Sequence, residues 1–311
     1  MNVVFMGTPD FSVPTLEMLI NEGHTISAVV TQPDRQRGRG KKITMSPVKE
    51  VALKHGLTVL QPERVKGNDE FLGHIQSLNP DVIVVIAFGQ ILPESILNIP
   101  RYGCINVHGS LLPEYRGAAP IQWSVLNEDK ETGVTIMYMD KGMDTGDMIY
   151  KKKMDIAPDE TYESLYEKMK VVGSEALREC WDNIVSGNVN REPQDDAKAT
   201  YAPPIQKSQG LIDWTKPAHV INAQVRGLTP WPGGYTSYND EVMKVWKTTV
   251  VESDKNNECG KVLEVSKKGI LVQTGENALL LEEIQMPNKK RMPVMEYIKG
   301  HTIESGIVLG V

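Results

Sequence analysis

Apolar residues fall along this chain in two rhythms. Over the first part, short runs rich in valine and isoleucine alternate with stretches whose apolar residues recur every three or four positions. The runs Val3–Met6, Ile26–Val30, Thr58–Leu60 and Asp81–Ile86 predict strands. Between them a helix carries Leu16, Leu19 and Ile20 and ends at Gly23. A second covers Ser46–His55 and ends at Gly56, and a third covers Asp69–Leu78 and stops at Pro80. Asp81–Ile86 is almost continuously apolar, as expected of a strand covered on both faces. Beyond Gly103 come a further short strand, a helix over Ala118–Leu126 with Pro120 in its first turn, a strand over Val134–Met139, and a long helix over Thr161–Ser186. The stripe Leu165, Met169, Val172, Leu177 and Ile184 marks the core face of that last helix. The alternation predicts an α/β domain built on a doubly wound parallel sheet.

The rhythm then changes. Residues 188–207 are polar, with Pro193, Pro203 and Pro204, and read as a linker. A helix over Pro217–Arg226 and a rigid turn at Thr229–Gly234 follow. Five short strand-like runs come next, over Tyr235–Tyr238, Val242–Val251, Lys261–Val265, Gly269–Gln273 and Ala278–Ile284. Short strands punctuated by glycine and asparagine predict a small β-barrel, with Val294–Lys299 as a closing helix. The expected division is a domain over 1–187, a linker over 188–207 and a β-barrel over 208–311.

The stretch Gly103–Gly117 holds the candidate chemistry. Side chains alternate along a strand, so Asn106 and His108 face the same way. Val134–Met139 also runs into a polar loop, ending Met143-Asp144-Thr145-Gly146-Asp147. If both strands lie parallel in one sheet, both loops open at its carboxyl edge, and Asn106, His108 and Asp144 converge in one crevice. Ser110 lacks a GxSxG elbow. Cys104 lies on the buried strand, a poor place for a nucleophile. Asp140, Asp144 and Asp147 do not complete a usual metal spacing with the amide and imidazole, so no metal is expected. An amide, an imidazole and a carboxylate without a nucleophile suit acyl transfer to an incoming amine. The amide and imidazole stabilise the oxyanion while the carboxylate handles protons. On the residues alone, a second reading stays open, in which the three polar residues cap loops at strand ends.

Composition changes this picture at a few points. The 311 residues are 40% hydrophobic and 24% charged, ordinary for a globular protein. A formal charge of −6 argues against a general nucleic-acid coating protein. Against that acidity, the loop 34–42 gathers five cations, Arg35, Arg37, Arg39, Lys41 and Lys42, with two glycines and one acid, and points to contact with a polyanion. In the last segment Lys244 and Lys247 flank Trp246, and Lys267-Lys268 and Lys289-Lys290-Arg291 bunch in the same way; basic clusters beside an aromatic fit nucleic acid. The strand-to-helix turn at Gly7 has a single glycine, so the dinucleotide fingerprint is missing. Three dispersed cysteines read as reduced thiols. With neither a secretory leader nor a bilayer-length apolar run in the sequence, the expected location is cytoplasmic.

Asn106-x-His108 followed by Ser110-Leu111-Leu112-Pro113-x-Tyr115-Arg116-Gly117, with Asp144-Thr145-Gly146 downstream, resembles the folate-dependent formyltransferases. The likeness extends through Gly7-Thr8-Pro9-Asp10-Phe11, Thr31-Gln32-Pro33-Asp34, Gly38-Arg39-Gly40-Lys41-Lys42, Tyr201-Ala202, Ile212-Asp213-Trp214, Pro230-Trp231-Pro232 and Lys244-Val245-Trp246-Lys247. So extended, it resembles the branch of that family that acts on methionyl initiator tRNA. The Asn/His/Asp trio alone is shared with formyltransferases and hydrolases acting on small molecules. The resemblance implies a Rossmann-like catalytic domain followed by an OB-like barrel that holds the tRNA. The implied reaction transfers a formyl group from 10-formyltetrahydrofolate to the α-amine of methionine on initiator tRNA. It places the catalytic residues at Asn106, His108 and Asp144. Folate contacts fall on Ser110, Leu111, Leu112 and Pro113 and on the loop Phe88, Gly89, Gln90, Ile91 and Leu92, with the run Met139–Asp144 offering backbone to the pterin. The inserted loop that reaches the tRNA acceptor end falls on Asp34–Lys42, with Arg39 as its matching basic residue. Phe88 stands where tyrosine is common and Thr229 where asparagine is common; neither touches the chemistry. With the barrel committed to tRNA, a monomer is expected. An enzyme of the same fold acting on a small amine, and an RNA-binding protein without catalysis, are the rival readings.

Overall fold

The structure, a computed structural model, describes residues 1–37, 42–253 and 257–310. It divides into two compact units. The first comprises 1–120, 131–155 and 166–202; the second comprises 121–130, 156–165 and 203–311. Segments 121–130 and 156–165 thus cluster with the β-rich unit, and 188–202, part of the expected linker, clusters with the first.

The first unit is built on a seven-stranded sheet. Its strands lie in the order Met148–Asp155, Glu131–Tyr138, Cys104–His108, Val82–Ile86, Asn2–Gly7, Thr25–Val30, Val59–Leu60. The last five are parallel. Numbered along the chain they run 3-2-1-4-5, and the order reverses between Asn2–Gly7 and Val82–Ile86. Right-handed crossovers on either side of such a reversal leave a crevice at the carboxyl ends. Val3, Val4, Phe5 and Met6 are fully buried, as are Val82, Ile83, Val84 and Ile86, which accounts for their unbroken apolar runs. Local signals start the helices. Ser46 caps Pro47–Lys54 by accepting the Lys49 N–H at 3.1 Å, and Asn68 caps Asp69–Ser77 by accepting the Phe71 N–H at 2.9 Å.

The neighbour that follows Cys104–His108 in the chain, expected to be parallel, is antiparallel. Glu131–Tyr138 pairs antiparallel with Cys104–His108, Thr135 lying opposite His108 and Tyr138 opposite Ile105. The connection from His108 holds the two-residue strand Arg116–Gly117 and a seven-residue helix, Pro120–Leu126, and the next strand re-enters the sheet from the edge at which His108 left it. A parallel neighbour would need a connection that crosses back along the sheet. The loop after Tyr138 therefore leaves from the opposite edge. A second antiparallel strand, Met148–Asp155, follows it and forms the outer edge. Its Lys151-Lys152-Lys153 hides it from apolar periodicity. Such lysines protect an edge strand, and Lys152 bonds Glu175 and Glu179 of the long helix at 2.8 and 2.7 Å.

The second unit carries an antiparallel sheet in the order Gly234–Tyr238, Glu241–Val251, Ala278–Gln285, Gly269–Gln273, Val262–Ser266, with Met292–Pro293 beside Ala278–Gln285. The C-terminal segment bonds both outer strands. The Val262 N–H donates to Ile307 O at 2.8 Å, and the Gly310 N–H donates to Ser237 O at 3.1 Å. The segment thereby bridges the two outer strands of the expected barrel and occupies part of each edge. Ile221 and Val225 of the helix Ala218–Gly227 join Val245, Val272, Leu279, Leu281 and Ile284 in its core, each at most 1% exposed. Leu281→Ala is expected to cost about 2–5 kcal/mol in urea unfolding. Ile43→Ala, at a residue 65% exposed, should stay within about 0.5 kcal/mol.

Candidate functional site

Asn106 and His108 do face the same side of their strand. Ile105 and Val107 point the other way and are 0% and 3% exposed. The same oxygen of Asp144 meets both residues: Oδ1 accepts from Asn106 Nδ2 at 3.5 Å and lies 3.7 Å from His108 Nδ1. On the far side of the imidazole, Nε2 is 3.0 Å from Tyr115 O. A carbonyl only accepts, so this network assigns a proton to Nε2 and turns Nδ1 toward the carboxylate. Three side chains of different chemistry thus converge within a largely buried corner.

Asp144 reaches that corner by a route the pattern did not indicate. The loop 139–147 leaves the opposite sheet edge and folds back over the sheet. The Tyr138 N–H donates to Asp147 O at 2.9 Å, and Gly146 lies so close to Tyr138 that a Cβ there would sit 1.9 Å from its carbonyl oxygen. Asp144 itself adopts φ +57°, a left-handed conformation that few non-glycine residues take. Its Oδ2 accepts the Gly117 N–H at 2.8 Å. Asp140 is spent within the loop, accepting from the Gly142 N–H and the Thr145 hydroxyl at 2.9 and 2.7 Å.

The two expected folate segments border the site. Ser110 is 1% exposed and its hydroxyl donates to Glu114 O at 2.6 Å, so it is not a free nucleophile. The Thr135 hydroxyl binds Ser110 O at 2.7 Å and the Leu112 N–H at 3.0 Å, which locks 110–113 onto the sheet. Leu112 packs against Met137 and Met148, Leu111 is half-buried and Pro113 also lies partly covered. In the other loop Phe88 and Leu92 turn into the core, and the Gln90 Oε1 accepts the Val65 N–H at 2.9 Å. Gly89, at φ +85°, and Ile91, 73% exposed, present the part that faces outward. Cys104 is buried, and burial pushes its thiol up to about 12, which leaves it inert.

Arg35 is exposed, and its Nη2 lies 3.4 Å from Gln32 Oε1. Arg35–Arg37 pairs antiparallel with Lys42–Thr44. Arg39 and Lys41 lie outside the described residues, as do the side chains of Arg37 and Lys42. The base of this hairpin is fixed: Asp34 binds Lys49 Nζ at 2.7 Å and Gln61 Nε2 at 2.8 Å, and these bonds, Lys49 first, hold its carboxyl below the usual range. A cleft lined by Thr8, Gln32, Arg35, Thr44, Ser46 and Gly89 joins the hairpin to the Phe88–Leu92 loop. In the second unit Lys244 Nζ and the Arg291 guanidinium each lie 5.3 Å from the Trp246 ring centroid. Lys247 is exposed and stands 3.7 Å from Glu282. Among the described residues no three His, Cys, Asp or Glu side chains gather as metal ligands do, and no helix is long and apolar enough to cross a membrane.

Residues 1–180 match the family model described as formyl transferase, and residues 204–302 match the formyl transferase C-terminal domain. A methionyl-tRNA formyltransferase of Clostridioides difficile (strain 630) is 56% identical over 311 residues, covering 100% of both chains. Two solved structures share the fold at low identity. An N-formyltransferase of Helicobacter canadensis, solved with folinic acid and dTDP-3-aminofucose, is 20% identical with a TM-score of 0.66, covering 91% of this chain and 98% of that one. HypX of Aquifex aeolicus, solved with tetrahydrofolic acid, is 14% identical with a TM-score of 0.63, covering 95% of this chain but 46% of its own, so this chain spans about half of that protein. With both domain models matched and full-length identity at this level, the chain belongs to the methionyl-tRNA formyltransferase family.

Proposed function

We propose that this chain moves the formyl group of 10-formyltetrahydrofolate to the α-amine of methionine on initiator tRNA, giving N-formylmethionyl-tRNA, and that Asn106, His108 and Asp144 carry the step. The observation that carries the reading is the single Asp144 oxygen shared by Asn106 and His108 at the border of the two folate segments. The free amine is itself the nucleophile, since an α-amino group titrates near 8. Its nitrogen attacks the formyl carbon. A C–N bond forms and the carbonyl becomes an oxyanion, which takes a hydrogen bond from the second Asn106 Nδ2–H with help from His108. Asp144 orders His108 and water, takes the proton that the amine loses and relays it to the folate nitrogen as the old C–N bond breaks. Backbone of 89–91, 110–113 and 139–144 borders the pterin. Ser110, Leu111, Leu112 and Pro113 form one wall and Phe88–Leu92 the other.

The tRNA contacts in this reading come from the basic loop 34–42, through Arg35, Arg37, Arg39, Lys41 and Lys42, and from the barrel, through Lys244 and Lys247. Phosphates neutralised by these side chains release counterions, so binding weakens steeply with salt. The acting species is a cytoplasmic monomer that needs no metal. The test measures formyl transfer from 10-formyltetrahydrofolate to charged initiator tRNA, charged elongator methionine tRNA and free methionine. Turnover on the initiator alone, weakened by salt and by Arg39→Ala, is expected. Turnover on a small amine that is indifferent to salt would replace this reading with that of an enzyme on the same fold.

A further inference from the structure

Asp144 is held by more than its carboxylate. The Gln194 side-chain amide donates both of its N–H bonds to the loop that carries Asp144, one to Asp144 O and one to Gly146 O, each at 2.8 Å. Its Oε1 accepts from Arg116 Nε at 3.0 Å and Nη2 at 2.9 Å. That guanidinium is 2% exposed and also binds Asp196 at 2.7 Å. The amide therefore has one workable orientation, because a flip would set its nitrogen against the cation and its oxygen against two carbonyls. The same stretch of chain grips Asp144 from a second side. Tyr201–Ala202 pairs with Arg116–Gly117, and it is the Gly117 N–H that binds Asp144 Oδ2. Gln194 thus holds the backbone around Asp144 directly, and Tyr201–Ala202 holds the segment whose Gly117 N–H binds its carboxylate, around a residue whose φ of +57° is unfavourable without such support.

The geometry points to Gln194 as a positioning residue for formyl transfer, acting through Asp144 by fixing the turn that aims Oδ1 at Asn106 and His108. This rests on the reading of Asp144 as the proton-handling group. Gln194 is only half-buried and does not bond the trio's side chains, so its effect is transmitted through the two carbonyls. Displacements of about 1 Å at reacting groups cost on the order of a hundredfold in rate.

The experiment compares Gln194→Met and Gln194→Glu in the full chain, each alone and combined with Asp144→Asn, by kcat and KM for formyl transfer and by single-turnover rates for the slow variants. Gln194→Glu keeps the size and the acceptor for Arg116 but has no N–H for the carbonyls. Both substitutions are expected to lower kcat about 10- to 100-fold while both KM values stay within about twofold, and the loss should vanish on the Asp144→Asn background. Near-normal kcat in either Gln194 variant, with Asp144→Asn impaired, overturns the proposal. So does a loss repeated undiminished on the Asp144→Asn background. Failure of both variants to fold makes Gln194 a structural residue and overturns it as well. Full turnover by Asp144→Asn instead overturns the reading of Asp144, on which the proposal stands.

Discussion

Asn106→Ala is expected to lower kcat by about 10²–10³ while the fold and the folate KM persist. In the proposed mechanism this amide is the donor to the developing oxyanion: it is 9% exposed, and its contact with the Asp144 carboxylate is long, at 3.5 Å, which leaves it free to donate elsewhere. A donor bound to the charge that develops in the transition state, and not to the ground state, is lost from kcat rather than from KM, and one such donor is worth about 2.7–4 kcal/mol of barrier. Stability should change far less, because a hydrogen bond of this length contributes little to folding. Steady-state kinetics with a thermal melt on the same sample check both halves. Asn106→Asp should be at least as slow, since it removes the donor and sets a second carboxylate against Asp144. Near-normal turnover of Asn106→Ala would move oxyanion stabilisation to another group.

Gly146→Ala is expected to cost about a hundredfold in kcat and to destabilise the protein as well. An added Cβ would stand 1.9 Å from the carbonyl oxygen of Tyr138 and 2.9 Å from its carbon, both backbone atoms that no side-chain rotation can clear. Restoring contact distance requires the loop to move by about 1 Å, and Asp144 lies two residues away on it. The conflict is one of close approach rather than of backbone dihedral. Gly73→Ala is the matched control. It lies in the helix Asp69–Ser77 with nothing within 4 Å of the new Cβ, and it should stabilise by about 0.5–1 kcal/mol with activity unchanged. Equal kinetics for Gly146→Ala and Gly73→Ala would show that the fold-back of 139–147 does not govern the site.

Much of the architecture was legible because its signals are local. Val3–Met6 and Val82–Ile86 announce buried strands by composition, and Ser46 and Asn68 announce helix starts by capping chemistry. The pairing of Asn106 with His108 follows from a period of two. The approach of Asp144 was expected for a different reason from the one observed. The Val134–Met139 run has the same apolar pattern whether its neighbour is parallel or antiparallel, and only the register of Thr135 on His108 shows which it is. The strand Met148–Asp155 went unread because three lysines occupy its middle. Gln194 lies in a proline-containing polar stretch that reads as linker, and nothing in its surroundings marks it as a partner of residues 48 and 50 positions earlier.

What the sequence by itself determined is therefore what depends on neighbours a few residues apart: the α/β and β-rich halves, the strand that turns an amide and an imidazole to one side, the basic loop, and the motifs that carry the family resemblance. The tertiary structure alone decided the direction of the strand beside that pair, the fold-back that delivers Asp144, the grip of 194–202 upon it, and the bridging of the barrel's outer strands by 306–310. Each of these rests on a hydrogen bond to a backbone N–H or C=O, or on a close backbone approach, between segments distant in the chain. Peptide groups are alike in every residue, so the order of side chains carries little record of which peptide meets which.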